Sequence, residues 1–236
     1  MSVVTRLALL FLPLGVLPLS FIGAQGASGK PAKTTAPSGW QSLFDGKTIT
    51  GWHGFKTPGK MSPGWTVEDG AITRAGPAED IVTDKVYANF ELNLDWKISA
   101  KGNSGIIYRI DPNAEVTYMS GPEMQVLDDD GHADGKSALT SAGADYGLYP
   151  APRGVVKPVG EWNSVRLIVN GNHVEHWLNG KKIVTYELGS ADWKAKVKAS
   201  KFVAWPGYGK AKAGYIGLQE HGARVWYRNI RIKELP

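Results

Sequence analysis

The sequence predicts an all-β domain, a sandwich or barrel of short antiparallel strands with one short helix. Three observations carry that prediction. Asp-Gly or Asn-Gly pairs stand at Asp45-Gly46, Asp69-Gly70, Asp130-Gly131, Asn170-Gly171 and Asn179-Gly180, and such pairs supply the positive φ that tight hairpins need. Alternating apolar and polar segments run between them. Only "SADWKAKVKAS" reads as helix: Ser190 or Asp192 can cap it, and Trp193 and Val197 lie four apart on one side.

The elements follow in chain order. "MSVVTRLALLFLPLGVLPLSFIGAQGASG" has one basic residue, Arg6, an apolar run from Leu7 to Ala24, and small residues after it. That order predicts a secretory signal at residues 1–24 and a secreted or periplasmic protein. The rival reading is an uncleaved anchor, but the run is at the lower limit for a bilayer span and Pro13 and Pro18 interrupt it. Residues 25–38 hold mainly Gly, Ser, Ala, Pro, Lys and Thr and read as a flexible linker. From 39 to 236 there is no repeat and no second linker, so one domain is expected. "FELNLDWKI" puts Phe90, Leu92, Leu94, Trp96 and Ile98 on one face and Glu91, Asn93, Asp95 and Lys97 on the other. "SVRLIVNGNHVEHWLNGKKIVTYEL" reads as three strands joined by two turns, and "GYIGLQEHG" and "VWYRNIRIKEL" make a final pair. Trp65, Trp96, Trp162, Trp177 and Trp226 lie inside strand patterns and are expected in the core.

Composition removes several function classes. The 236 residues are 42% hydrophobic with nine Trp, enough for a sizeable core. There is no cysteine, hence no disulfide, thiolate metal site or catalytic thiol. The net charge of +5 is scattered and no nucleic-acid module is recognisable, which argues against a nucleic-acid partner. Once the signal is cleaved, no membrane attachment is expected. His173 and His176 would point to opposite faces of a strand, which argues against a shared zinc. No Gly-Xaa-Ser-Xaa-Gly elbow and no phosphate loop are present.

The chemistry gathers elsewhere. Glu123 and Gln125 leave one face of a strand, Arg109 shares a face with Ile107, and Gln219 shares one with His221. A sheet that only had to fold would carry Val or Ile at such positions. Together they suggest one polar groove, since burial would leave each needing partners. Carbohydrate suits it: hydroxyls take amide, carboxylate and guanidinium partners, and aromatic rings pack on the apolar faces of a sugar. Trp52, Phe55, Tyr146, Tyr149, Trp205 and Tyr208 are the loop aromatics available, and at least half are expected to anchor loops instead. "DDDGHAD" departs from a calcium-binding EF-hand, with Val126 where a ligand belongs and Ser137 where the closing Glu belongs. A looser oxygen cage for a divalent cation such as calcium stays open, against an ordinary acidic turn. "EMQVLD" is similar to the Glu-Xaa-Asp-Xaa-Xaa-Glu strand of family 16 glycoside hydrolases. A retaining pair needs carboxyls about 5 Å apart, which would require a bulge to turn Asp128 toward Glu123.

The segments "WQSLFDGKTITGW", "GWTVEDGAI", "NFELNLDWKI", "GNSGIIYRI", "PEMQVLDDDGHADG", "GLYPAP", "GEWNSVRLIVNGNHVEHWLNGKKI", "GYIGLQEHG" and "VWYRNIRIKEL" resemble, in order, the 3-keto-disaccharide hydrolase domain family. The resemblance runs from about Gly39 to Pro236. Asn103-Ser104-Gly105 with Arg109, Glu123-Xaa-Gln125 and Gln219-Xaa-His221 are its most telling parts. It implies a concanavalin A-like jelly-roll sandwich of two antiparallel sheets, export, and cleavage of glycosides bearing a ketone at sugar carbon 3. A base removes the C2 proton, an enolate expels the aglycone from C1, and water adds back. The resemblance suggests Glu123 as base or metal anchor, Arg109 or a bound cation steadying the enolate, and His221 as acid. Gln125, Gln219, Trp52 and Asn103 would bind substrate, Asp128 and His132 would guard the mouth, and Tyr149 fits the family's Leu-Tyr pair better than Tyr146. Two other classes stay open: a non-catalytic carbohydrate-binding module on the same sandwich, and a structural domain with a merely wet polar face.

Overall fold

A computed structural model describes residues 39–236, so the expected signal and linker lie outside the described residues. In chain order the strands are β1 (Gln41–Ser42), β2 (Trp52–Gly54), β3 (Trp65–Glu68), β4 (Ala71–Arg74), β5 (Ile81–Thr83), β6 (Phe90–Ile98) and β7 (Asn103–Ile110). They continue as β8 (Glu123–Leu127), β9 (Asn163–Asn170), β10 (His173–Leu178), β11 (Lys181–Glu187), β12 (Tyr215–Leu218) and β13 (Val225–Glu234). One sheet has the order β11-β10-β9-β6-β13-β4-β3, with β1 also paired to β13; the other is β2-β5-β12-β7-β8. All pairings are antiparallel, and the two sheets make the expected sandwich.

Alternation fixes which face is dry. Phe90, Leu92, Leu94, Trp96 and Ile98 of β6 are buried, and the residues between them are half-exposed. They pack in one core with Ile106 and Tyr108 of β7 and Met124 and Val126 of β8. The β10–β11 hairpin turns on Asn179-Gly180, with φ of 50° and 78°, as its Asn-Gly sequence requires. The helix, α1 (Ala191–Lys198), starts at Ser190, whose hydroxyl accepts from the Trp193 N–H at 3.1 Å. Among the described residues, no helix is long and apolar enough to cross a membrane.

Two expectations about the core need correction. Trp65 and Trp96 are buried, but Trp162, Trp177 and Trp226 are half-exposed on the outer side of the larger sheet. Parity explains it: Trp177 alternates with buried His176 and Leu178, and Trp226 with buried Val225 and Tyr227. In β7 the register against β12 shifts between Tyr215 and Gly217, and Arg109 adopts φ of 51°. That bulge breaks the alternation which put Arg109 beside Ile107.

Candidate active site

Strand β8 pairs with β7 so that Glu123 faces Ile107 and Gln125 faces Gly105. On the other side of β7, the Gln219 N–H donates to the Gly105 carbonyl at 2.9 Å. Gly105 therefore sits between two polar side chains and contributes none itself. Its missing side chain leaves the space that the Glu123 carboxyl occupies, since a methyl group there would lie 2.2 Å from Glu123 Oε1. Across this gap Gln219 Nε2 donates to Glu123 Oε2 at 3.4 Å.

These groups floor a cleft of about 390 Å³ on the outer side of the smaller sheet. Asn103, Gln125 and His221 share it, with Asn103 Oδ1 buried and lacking a hydrogen-bond partner. Asp80, just before β5, adds a second acid; its carboxyl accepts from the Glu220 N–H at 2.7 Å and from the Thr117 hydroxyl. Tyr118, Tyr146, Phe202 and Trp205 supply aromatic walls. Lys201 Nζ lies 4.6 Å from the Tyr146 ring centroid and provides a cation at the cleft.

The electrostatics single out Glu123. Burial, and then the charge of Asp80, raise its carboxyl to about 8. Lys201 and the Gln219 hydrogen bond pull the other way and only partly offset this. Burial also raises the Asp80 carboxyl. A carboxyl poised near neutral pH suits proton transfer at a carbon next to a ketone, because it is a far stronger base than an ordinary carboxylate.

Of the residues expected at the site, Glu123, Gln125, Gln219, His221 and Asn103 are brought together. Five others are not. Arg109 is buried, donating from Nη2 to the carbonyls of Ala88 at 2.9 Å and Gly171 at 2.6 Å, where it ties loops rather than facing the cleft. Trp52 is a core residue whose indole N–H donates to the Leu43 carbonyl at 2.8 Å. Asp128 closes its own turn, accepting from the N–H groups of Lys101, Asp130 and Gly131 at 2.6, 3.2 and 3.0 Å. His132 caps the following 3-10 turn through Nδ1, accepting from the Asp134 N–H at 3.1 Å. Tyr149 stacks on Tyr186 and Trp193 and donates to Asp192 at 2.6 Å, while Tyr146 lines the cleft instead. Of the loop aromatics, Trp205 and Tyr146 reach the cleft; Phe55 and Tyr208 pack inside.

The acidic loop does not fit a calcium cage. Asp128 and Asp129 already accept backbone N–H groups, the latter from Ala142 at 2.7 Å. Among the described residues no three His, Asp or Glu side chains are arranged to hold a metal ion. Sequence reasoning missed Gly105 as a site determinant, and also Asp80, Tyr118 and Lys201. The glycine in a strand was the one readable signal, since it marks a close approach.

The model of the 3-keto-alpha-glucoside-1,2-lyase-like domain matches residues 39–233. A Bacteroides thetaiotaomicron protein named 3-keto-disaccharide hydrolase is 37% identical over 232 residues, covering 84% of this chain and 79% of its own. A crystal structure of a candidate glycosyl hydrolase from Parabacteroides distasonis is 40% identical with a TM-score of 0.77, covering 84% of this chain and 94% of that one. A carbohydrate-binding module from Bacillus subtilis, 13% identical with a TM-score of 0.50 over 78% of this chain and 96% of its own, shares the fold alone.

Proposed function

Because the chain belongs to the 3-keto-alpha-glucoside-1,2-lyase-like family, we propose that it cleaves glycosides and disaccharides already oxidised to a ketone at sugar carbon 3. The observation that carries this reading is Glu123, a buried carboxyl held near neutral pH beside amides and aromatic walls. The nearby acid, Asp80, has its carboxyl engaged by Thr117 and Glu220, which suits it poorly to act as a nucleophile.

The ketone acidifies the C2 hydrogen. The Glu123 carboxylate takes that proton, and the C2–H electron pair passes into an enolate whose charge rests on the C3 oxygen. The enolate collapses to a C1–C2 double bond, and the C1–O bond breaks with its electron pair leaving on the aglycone oxygen. In this reading His221, exposed at the rim of the cleft, protonates that oxygen. Water then adds oxygen to C1 and a proton returns to C2. With Arg109 buried elsewhere, Lys201 takes over the task of steadying the enolate oxygen. Gln125, Gln219 and Asn103 hold sugar hydroxyls, and Trp205, Tyr118 and Tyr146 pack against the ring or its aglycone.

The test is a substrate panel: 3-keto-trehalose, 3-keto-sucrose and a 3-keto aryl glucoside, each beside its unoxidised parent. Release of the aglycone from the oxidised members alone is expected. Equal rates on oxidised and parent sugars would overturn the reading.

A further inference from the structure

The half-exposed Trp177 leads to a second feature, on the outer side of the larger sheet. There one row of side chains crosses five strands in register. Trp177 of β10 pairs with Arg166 of β9, Arg166 with Asn93 of β6, Asn93 with Arg231 of β13, and Arg231 with Ser42 of β1. Neighbouring strands lie about 4.8 Å apart, so the four steps span about 19 Å.

An indole ring stands near each end of the row. The Arg166 guanidinium lies 5.2 Å from the Trp177 ring centroid, and that of Arg231 lies 4.8 Å from the ring of Trp40, which is 40% exposed. Between them runs a groove of about 760 Å³, roughly twice the volume of the Glu123 cleft. Ser164, Asp95 and Asn229 share its floor with Asn93. A bulge in β13 gives Asn229 φ of 54°, and its Nδ2 donates to Asp95 Oδ2 at 2.7 Å.

A merely solvated face would present groups that water satisfies. Asn93 departs from that, because its Oδ1 is buried and has no hydrogen-bond partner. A buried acceptor left bare is unfavourable, and a hydroxyl arriving from the groove would satisfy it. An amide, a hydroxyl and guanidinium donors in a line, bounded by indole rings, match a chain of hydroxylated rings.

We propose that this groove is a second, non-catalytic site that binds an oligosaccharide strand. It lies on the opposite sheet from Glu123, so a chain held there does not compete for the cleft. The proposal does not depend on the chemistry assigned to that cleft.

Electrophoresis of the full chain through native gels containing glycogen, laminarin, hydroxyethylcellulose or polygalacturonate tests it. The first three carry neutral sugars and the fourth carries carboxylates that the arginines would favour, so the arms distinguish the two sources of ring chemistry. At least one polysaccharide should retard the protein. Trp177→Ala and Trp40→Ala should each weaken that retardation about tenfold, with circular dichroism and melting temperature confirming the fold. Asn93→Ala provides a smaller side chain at the same place and should weaken it too. Glu123→Gln should be retarded like the parent. Absence of retardation by all four polymers would overturn the proposal. So would retardation kept at the parental level in both Trp177→Ala and Trp40→Ala, whatever Glu123→Gln does. A protein that sediments as a dimer, and as a monomer after Trp177→Ala, would give the face to a second copy and overturn it as well.

Discussion

Gly105 and Glu123 share one space: a methyl group on Gly105 would stand 2.2 Å from Glu123 Oε1. Glu123 Cδ and Cγ would lie only 2.7 and 2.8 Å from that methyl group, so the whole side chain has to shift within the cleft it lines. Gly105→Ala should therefore displace the base while leaving the sandwich folded. A shift of about 1 Å at a reacting group costs on the order of 10²-fold in rate, and overpacking costs about 1–3 kcal/mol of stability. Turnover and chemical denaturation measured on one preparation would check both. Parental turnover in Gly105→Ala would mean that the carboxyl need not lie there.

The pH dependence has a defined sign. Glu123 works as a base only when unprotonated, and its carboxyl is raised from the ordinary 4.5 to about 8. kcat/KM on a 3-keto glycoside should climb about tenfold per pH unit below that value. Glu123→Gln should lose that limb.

Stability should move the opposite way. The folded protein keeps a proton on Glu123 that the unfolded chain releases above its ordinary value of 4.5, so this group disfavours folding increasingly between pH 4.5 and about 8. The slope is about 1.4 kcal/mol per pH unit. Urea unfolding at pH 5 and pH 8 should show Glu123→Gln gaining on the parent at the higher pH. Parallel changes in the two proteins would contradict the burial of an ionisable Glu123.

Arg109 provides a test of a different kind, because the bulge in β7 assigns it to the fold rather than to the chemistry. Arg109→Ala removes the donors from two carbonyls, at about 1–3 kcal/mol for each left unsatisfied. Melting temperature should drop, while kcat per folded molecule stays close to that of the parent. A loss of kcat beyond tenfold with unchanged stability would return Arg109 to the cleft.

Much of this was legible from local pattern. The alternation in β6, the Asn-Gly hairpin and the Ser190 cap are set by neighbours in sequence, so periodicity and turn chemistry are enough to find them. Glu123 with Gln125 was legible because a period of two holds inside β8, whereas Gln219 and His221 reach the same cleft from the segment that follows the end of β12 at Leu218. Arg109 was misplaced because a bulge resets that period and leaves no mark in composition. The misread tryptophans share another cause. Trp226 and Trp177 stand at outward positions of their strands, where hydrophobicity alone points the wrong way, and cations lie over their rings: Lys97 over Trp226 at 4.5 Å and Arg166 over Trp177 at 5.2 Å. Asp80, Tyr118 and Lys201 come from three separate segments, and only the tertiary fold brings them to one cleft.

The identity of the abstracted proton separates the proposed chemistry from direct displacement at C1. If Glu123 removes the C2 proton, the proton that returns to C2 after elimination and hydration comes from solvent. Cleavage in deuterated water should therefore place deuterium at C2 of the released 3-keto sugar, readable by mass spectrometry and by loss of the C2 proton resonance. Recovered, uncleaved substrate should be followed in parallel, since spontaneous exchange beside a ketone would label it without the enzyme. Glu123→Gln preserves shape and a hydrogen-bonding group but cannot accept the proton, so turnover should fall by about 10²–10⁴ while binding changes less. Product lacking C2 label would point to attack at C1 with no enolate. Label in product from a fully active Glu123→Gln would instead move the base to Asp80, the other carboxyl at the cleft.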